Sequence, residues 1–239
     1  MTTPGLNVIA PCFNEELNVE PLSARVRAVF DKMPIACELI LVDDGSKDGT
    51  WERIQAASRD DARIRGVRHE KNRGIVGGWV SGLENGSAPL VCLIDSDLQN
   101  RPEDIPRLYE AYLRAKPDLV QAVRHPKVNR NRIAFSKGLN AILNVTFGMH
   151  LRDNKSGFVL CPREHLEDIL RDAPGYRYFQ SFIGVAAGVR GLRIEEVDTD
   201  FDARAAGESF LSNFPVQVSV RIIQELMRYR AQTLRRKPR

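Results

Sequence analysis

The chain has 239 residues, with 35 Lys and Arg against 31 Asp and Glu. Its 28% charged and 43% hydrophobic content exclude a disordered or fibrous chain, and the length suits one or two domains with a substantial core. The net charge of +4 is uneven: Val216–Arg239 carries seven basic residues and one acid, Glu225, for +6, which leaves −2 on the preceding residues.

The first half alternates short apolar runs with amphipathic stretches. Leu6–Ala10 reads as a strand and Pro21–Met33 as a helix with Leu22, Val26, Val29 and Phe30 on one face. Glu38–Val42 is a second strand, apolar enough for a sheet covered on both faces. The helix Trp51–Ser58 follows, with Asp48 or Thr50 as its cap. Ile64–Val67, Leu90–Ile94 and Leu119–Val123 read as further strands, separated by helices at Gly77–Leu83 and Asp104–Lys116. This alternation predicts a parallel α/β sheet.

Beyond Arg124 the rhythm changes. A basic stretch, His125–Lys137, leads to a helix near Gly138–Phe147 and a loop at Ser156-Gly157-Phe158. A helix from Glu164, a Gly/Ala-rich helix Phe182–Val189, a strand Leu192–Val197 and a polar loop Asp198–Ser212 complete the main body. The expected division is 1–212 as the main domain and 213–239 as a basic amphipathic tail. In that tail Val216, Val220, Ile223, Met227 and Leu234 line one helical stripe, beside Arg221, Arg228 and Arg235. Such a helix suits an anionic membrane surface; packing on the domain or pairing with a second helix are the alternatives.

No apolar run reaches the ~20 residues that span a bilayer. Pro4, Asn7 and Pro11 interrupt the apolar start a signal peptide needs. Cys12, Cys37, Cys92 and Cys161 stand far apart with no Cys-x-x-Cys pair, which reads as reduced thiols of a cytosolic protein.

Ligands of open parallel sheets bind beyond the carboxyl ends of the strands. Three such ends are polar here: Pro11–Glu15, Asp43–Ser46 and Asp95–Gln99. Acids converging on one edge repel unless a cation or donors offset them. Asp95 and Asp97, two apart on extended backbone, would face one side and suit Mg²⁺ or Mn²⁺ shared with phosphate oxygens. No Gly-x-Gly-x-x-Gly follows the first strand and no Walker-type Gly-Lys-Ser/Thr occurs, which disfavours dinucleotide and P-loop chemistry. A haloacid-dehalogenase-like phosphatase would need Thr or Val where Gln99 stands. The basic tail lacks the aromatic stacking motifs of nucleic-acid binding. His69, His125, His150 and His165 show no metal-ligand spacing.

The motifs together resemble family 2 glycosyltransferases of the GT-A fold, in the dolichyl/polyprenyl-phosphate sugar synthase branch. The resemblance rests on Pro11–Glu15, Val42–Thr50, Asn72-Arg73-Gly74, Asp95–Glu103, Ser156-Gly157-Phe158 behind Asp153, and Arg204-x-x-Gly207-Glu208-Ser209. It implies a single GT-A domain with a mostly parallel sheet, and an inverting transfer of hexose from UDP- or GDP-hexose. The acceptor is a polyprenyl phosphate at the cytoplasmic membrane face, or, in the alternative, a saccharide or other non-lipid molecule. Pro11, Phe13, Glu15 and Asp44 are expected at the nucleotide, with Asp44 accepting a hydrogen bond from the base and Phe13 replacing a more usual tyrosine. Asp95, Asp97 and Gln99 are expected to hold the metal. Arg124, Arg132, Arg204 and Ser209 are expected at the diphosphate or acceptor phosphate, and Asp153 on the acceptor side as a possible base. Among these, Asp97, Asp153 and Arg204 are the expected catalytic residues. Trp79 and Ser96 depart from the family pattern. The chain is expected to sit peripherally on the membrane, alone or with a second copy or membrane partner.

Overall fold

The computed structural model describes residues 4–126, 130–154, 156–203 and 215–235. Seven strands form one sheet in the order β3-β2-β1-β4-β6-β5-β7. β1 (Leu6–Cys12), β2 (Cys37–Asp43), β3 (Ile64–Arg68) and β4 (Leu90–Leu93) run parallel, as the strand–helix alternation requires. β5 (Leu119–Pro126) and β7 (Ile194–Phe201) are parallel to each other, and β6 (Val159–Pro162) is antiparallel to both β4 and β5.

Side chains on a strand alternate between faces, and both faces here are covered. Val8, Ala10, Leu39 and Leu41 pack with α1 (Glu16–Phe30), α2 (Thr50–Asp60) and α4 (Ile105–Ala115). Ile9, Ile40 and Val42 pack on the other face with α3 (Gly74–Asn85), α6 (Arg163–Leu170) and α7 (Ile183–Val189). The result is a three-layer α/β/α body, the single α/β domain the alternation implies.

Several elements differ from the expectation, among them β7, which runs on to Phe201 where a loop from Asp198 is expected. β6 was not expected: Val159–Pro162 follows the Ser156-Gly157-Phe158 loop directly and is too short to carry a periodic signal. α5 (Arg130–Phe147) starts eight residues before the expected Gly138, so most of the basic stretch is helix rather than loop. α1 starts at Glu16 and carries Pro21 inside it, where a helix start at Pro21 was expected.

α8 (Pro215–Arg235) packs on the domain through a row other than the expected one. Ile222, Leu226 and Tyr229 are buried, whereas Val220, Ile223 and Met227 are exposed. Tyr229 is fully buried among the rings of Tyr176, Phe179 and Phe182, in edge-to-face and tilted contacts. Its hydroxyl accepts from Arg190, which also pairs with Asp172. Glu225, the acid counted in the basic tail, accepts the backbone N–H groups of Arg177 and Tyr178 at 2.9 Å.

Candidate active site

The carboxyl ends of β1 and β2 are laced together. Asp44 N–H donates to the Cys12 carbonyl at 2.8 Å, and Asn14 N–H donates to Ser46 Oγ at 2.9 Å. Lys47 N–H returns to Asn14 Oδ1, and Glu15 N–H donates to Thr50 Oγ1 at 2.8 Å. Asn14 makes this turn at φ +56°, in the left-handed region that Asn tolerates better than most residues. Gly45 stands at φ +74°, and a Cβ there would sit 2.8 Å from the Lys71 backbone, so only glycine lets these two loops approach. Pro11, Phe13, Glu15 and Asp44 therefore share one corner. Phe13 is 42% exposed, an open ring face, whereas Glu15 is buried and bonded to Asn18.

Asp44 is gripped from three directions. Its Oδ1 accepts from His69 Nδ1 and from Arg73 N–H, both at 2.7 Å, and its Oδ2 accepts from Gly74 N–H at 2.8 Å. The far nitrogen of His69 meets Ser81 Oγ at 2.8 Å on α3. A carboxylate has no proton to give, so His69 Nδ1 carries the hydrogen, and the Nε2–Ser81 contact holds the ring in that orientation. The spacing of the histidines gives no sign of this contact; the place of His69 behind Asp44 arises from the β2–β3 register, which pairs Asp43 with Arg68.

The β4 end supplies the acids. Asp95 and Asp97 follow β4, but the backbone turns at Ser96-Asp97 and Leu98 sits at φ +63°, so the expected extended alternation does not hold. Ser96 Oγ donates to the Pro11 carbonyl at 2.9 Å, tying this loop to the β1 corner. The Asn100 side chain donates to Asp95 Oδ2 at 3.0 Å, a contact sequence reasoning missed. Gln99 N–H donates to Asp97 Oδ1 at 3.1 Å, and the Gln99 side-chain amide donates to the Asp202 carbonyl at 3.3 Å. Arg101 pairs with Asp200 and Asp202, which stitches the acidic loop to the end of β7.

Arg124 at the β5 end faces Asp153 in a two-pronged pair, Nε to Oδ2 at 2.7 Å and Nη2 to Oδ1 at 3.0 Å. Its guanidinium also lies 5.3 Å from the Phe201 ring centre. Burial works against the charge on Arg124, but Asp153 and the fields of Asp95 and Asp97 outweigh it and push its pKa up. Arg124, Asp95, Asp97 and Asp153 thus occupy one electrostatic neighbourhood. Arg132 falls in the first turn of α5, with its side chain outside the described residues; Arg204 and Ser209 lie outside the described residues altogether.

Asp95 and Asp97 provide two hard carboxylates beside a half-buried arginine. Among the described residues no group of three or more His, Cys, Asp or Glu is placed to hold a metal. The donor set fits a Mg²⁺- or Mn²⁺-type ion held by one or two carboxylates with ligand phosphates completing its shell, and does not fit an all-protein cage. Trp79, 1% exposed, has its ring 3.6 Å from where a Gly157 Cβ would be, and so packs against the Ser156–Phe158 loop.

Comparison with known proteins gives these loops a context. An undecaprenyl-phosphate 4-deoxy-4-formamido-L-arabinose transferase of Aeromonas hydrophila is 33% identical over 210 residues, covering 85% of this chain and 62% of that protein. A dolichol-phosphate mannosyltransferase of Pyrococcus furiosus is 27% identical, covering 94% of this chain and 64% of that protein. The chain thus spans somewhat under two thirds of the length of these curated relatives. Among solved structures, the glucosyl-3-phosphoglycerate synthase of Mycobacterium tuberculosis with Mn²⁺, UDP and phosphoglyceric acid superposes with a TM-score of 0.71 at 23% identity. That match covers 94% of this chain and 78% of the other, and shows a shared fold. The model of glycosyl transferase family 2 matches residues 7–170, which takes in all the loops above through Asp153, and the chain belongs to that family.

Proposed function

We propose that the protein transfers a hexose, with inversion, from a nucleotide-diphosphate sugar to a polyprenyl phosphate at the cytoplasmic membrane face, assisted by a divalent ion. The observation that carries this reading is the placement of Asp44, Asp95 and Asp97 just past the ends of β2 and β4 on one sheet edge, with the half-buried Arg124 in the field of Asp95 and Asp97. The relatives named for undecaprenyl and dolichol phosphate support the choice of acceptor.

In this reading Phe13 offers its ring to the base and Asp44 accepts the base N–H. Asp95 and Asp97 hold the ion, which when bound offsets charge on the donor diphosphate. Arg124 faces the charge that develops on the leaving diphosphate or arrives with the acceptor phosphate. An acceptor phosphate is already anionic at neutral pH, so it attacks the anomeric carbon as the bond to the nucleotide diphosphate breaks, without a strong base. Asp153, with both oxygens on Arg124, then serves to aim that guanidinium.

No helix among the described residues is long and apolar enough to cross a membrane. The exposed Val220, Ile223 and Met227 on α8, with basic residues beside them, are proposed to rest on anionic lipid. A second reading keeps the donor and replaces the lipid with a soluble acceptor; the fold shared with glucosyl-3-phosphoglycerate synthase favours it. Incubation with Mn²⁺ or Mg²⁺, a panel of nucleotide sugars, and either a short polyprenyl phosphate or soluble acceptors separates the two by product mass. Turnover confined to soluble acceptors would overturn the lipid assignment.

A further inference from the structure

We infer that the buried Ser81–His69 pair sets the base specificity of the donor site by filling one oxygen of Asp44, which selects a uracil and rejects a guanine. The inference rests on the proposed nucleotide-sugar reading and goes further by naming the base.

A carboxylate offers roughly two acceptor positions on each oxygen. On Asp44 both positions of Oδ1 are taken, by His69 Nδ1–H and Arg73 N–H at 2.7 Å each. Oδ2 carries one donor, Gly74 N–H at 2.8 Å, and keeps one position. The residue is 3% exposed, so its remaining acceptor position is the one a ligand would have to use.

The two bases ask different things of such a group. The pairing edge of uracil carries a single N–H, at N3, between two carbonyls, so one open position on Oδ2 satisfies it. Guanine presents N1–H and the N2 amine next to each other, a pair that an acid binds through both oxygens. With Oδ1 filled, one guanine donor would be buried without a partner, a cost that sites built for hydrogen bonding impose on the wrong ligand. Adenine and cytosine would set the lone pair of a ring nitrogen against the carboxylate. The exposed ring of Phe13, in the turn laced to Asp44 through Cys12, gives any base a stacking surface and so does not discriminate.

His69 is therefore a positioning residue that acts through Asp44, and Ser81 fixes its ring through the 2.8 Å contact with Nε2. His69 is itself 4% exposed and Ser81 6%, so both lie behind the acid rather than at the ligand.

Titration calorimetry of the full chain with UDP, GDP, CDP and ADP, each with Mn²⁺, tests this. Wild type is expected to bind UDP at least about tenfold tighter than the other three, the worth of one charge-assisted hydrogen bond. His69→Leu is expected to weaken UDP and shrink the UDP-to-GDP ratio to within about threefold; His69→Asn, which keeps a donor near Nδ1, is expected to restore most of the ratio. Ser81→Ala is expected to fall between, and it carries the test if His69→Leu does not melt cooperatively. GDP, CDP or ADP binding as tightly as UDP overturns the inference and leaves the glycosyltransferase reading standing. A folded His69→Leu protein with the wild-type ratio overturns the role of His69. Failure of all four nucleotides to bind overturns both readings.

Discussion

Arg124 and Asp153 meet end to end through two hydrogen bonds of 2.7 and 3.0 Å, although 29 residues separate them in the chain. Asp153 is held from behind as well, since its N–H reaches Glu196 Oε1 on β7 at 3.3 Å. Arg124 thereby stands at a fixed distance from the acidic loop. Asp153→Ala leaves a largely buried guanidinium without its fork partner. The side chains keep 23% and 11% of their surface exposed, so solvent trims the penalty for an unpaired buried charge to about 2 kcal/mol. We expect a melting temperature lower by about 4–8 °C. Turnover should drop in the same variant while nucleotide affinity is retained, because the aim of Arg124 is lost and the base corner is untouched.

Asn100, 1% exposed, donates to Asp95, and outer partners of metal-holding groups change affinity when removed. Asn100→Ala is expected to raise the Mn²⁺ concentration for half-maximal activity by about tenfold. Chelation with EDTA is expected to abolish turnover, with recovery on adding Mg²⁺ or Mn²⁺. Full activity in EDTA would remove the metal from the scheme.

The two rows of α8 make opposite predictions. Tyr229→Ala empties a site lined by three rings and should cost about 3–5 kcal/mol, visible as a melting temperature lower by roughly 10 °C. Replacing Val220, Ile223 and Met227 by Ser should leave the melt within about 2 °C of wild type, since all three are exposed. The triple variant should lose sedimentation with phosphatidylglycerol vesicles if the outer row rests on lipid. Unchanged sedimentation would end the membrane role of that row.

Burial pushes the thiols of Cys12 and Cys161 up to about 12 and that of Cys37 to about 11, and raises Cys92 as well. Native protein at pH 8 should therefore react slowly with Ellman's reagent, and all four thiols should react in guanidinium chloride. A fast native reaction would contradict the placement of these residues in the core.

Asp61 lies below its ordinary value because Arg63 donates to its carboxylate. A depressed acid stabilises the fold above the unfolded value of 3.8, and that contribution disappears as pH falls through the folded value. Asp61→Asn should thus melt about 2–4 °C below wild type at pH 7, about 1 kcal/mol after allowance for the part-exposed arginine, and the gap should close as pH falls through the lowered folded value.

The parallel strands were legible because each is a short apolar run followed by an amphipathic helix, and the acids at their ends were legible because polar clusters interrupt that pattern. What escaped the sequence depends on register. Asn100 reaches Asp95 because the backbone turns back at Leu98, and His69 reaches Asp44 because β3 lies beside β2. Neither contact leaves a periodic trace. The buried row of α8 was hidden for another reason. Tyr229 reads as half polar until Tyr176, Phe179 and Phe182 surround it, whereas the exposed valine, isoleucine and methionine form the more conspicuous apolar stripe. β6 was hidden by its length of four residues.

That short strand has a bearing on how the molecule is made. Val159–Pro162 supplies the neighbour that covers the outer side of Leu90–Leu93, some 70 positions upstream. While a nascent chain emerges in order, the first four strands can associate as soon as they are out, since each pairs with a partner already synthesised. During that interval the flank of Val91, Cys92 and Leu93 offers unpaired backbone groups on an apolar ribbon, the arrangement that invites strand addition from another molecule. Fragments ending before Val159 should accordingly clump, and those extending past Phe201, where β7 also covers the outer edge of β5, should stay dispersed.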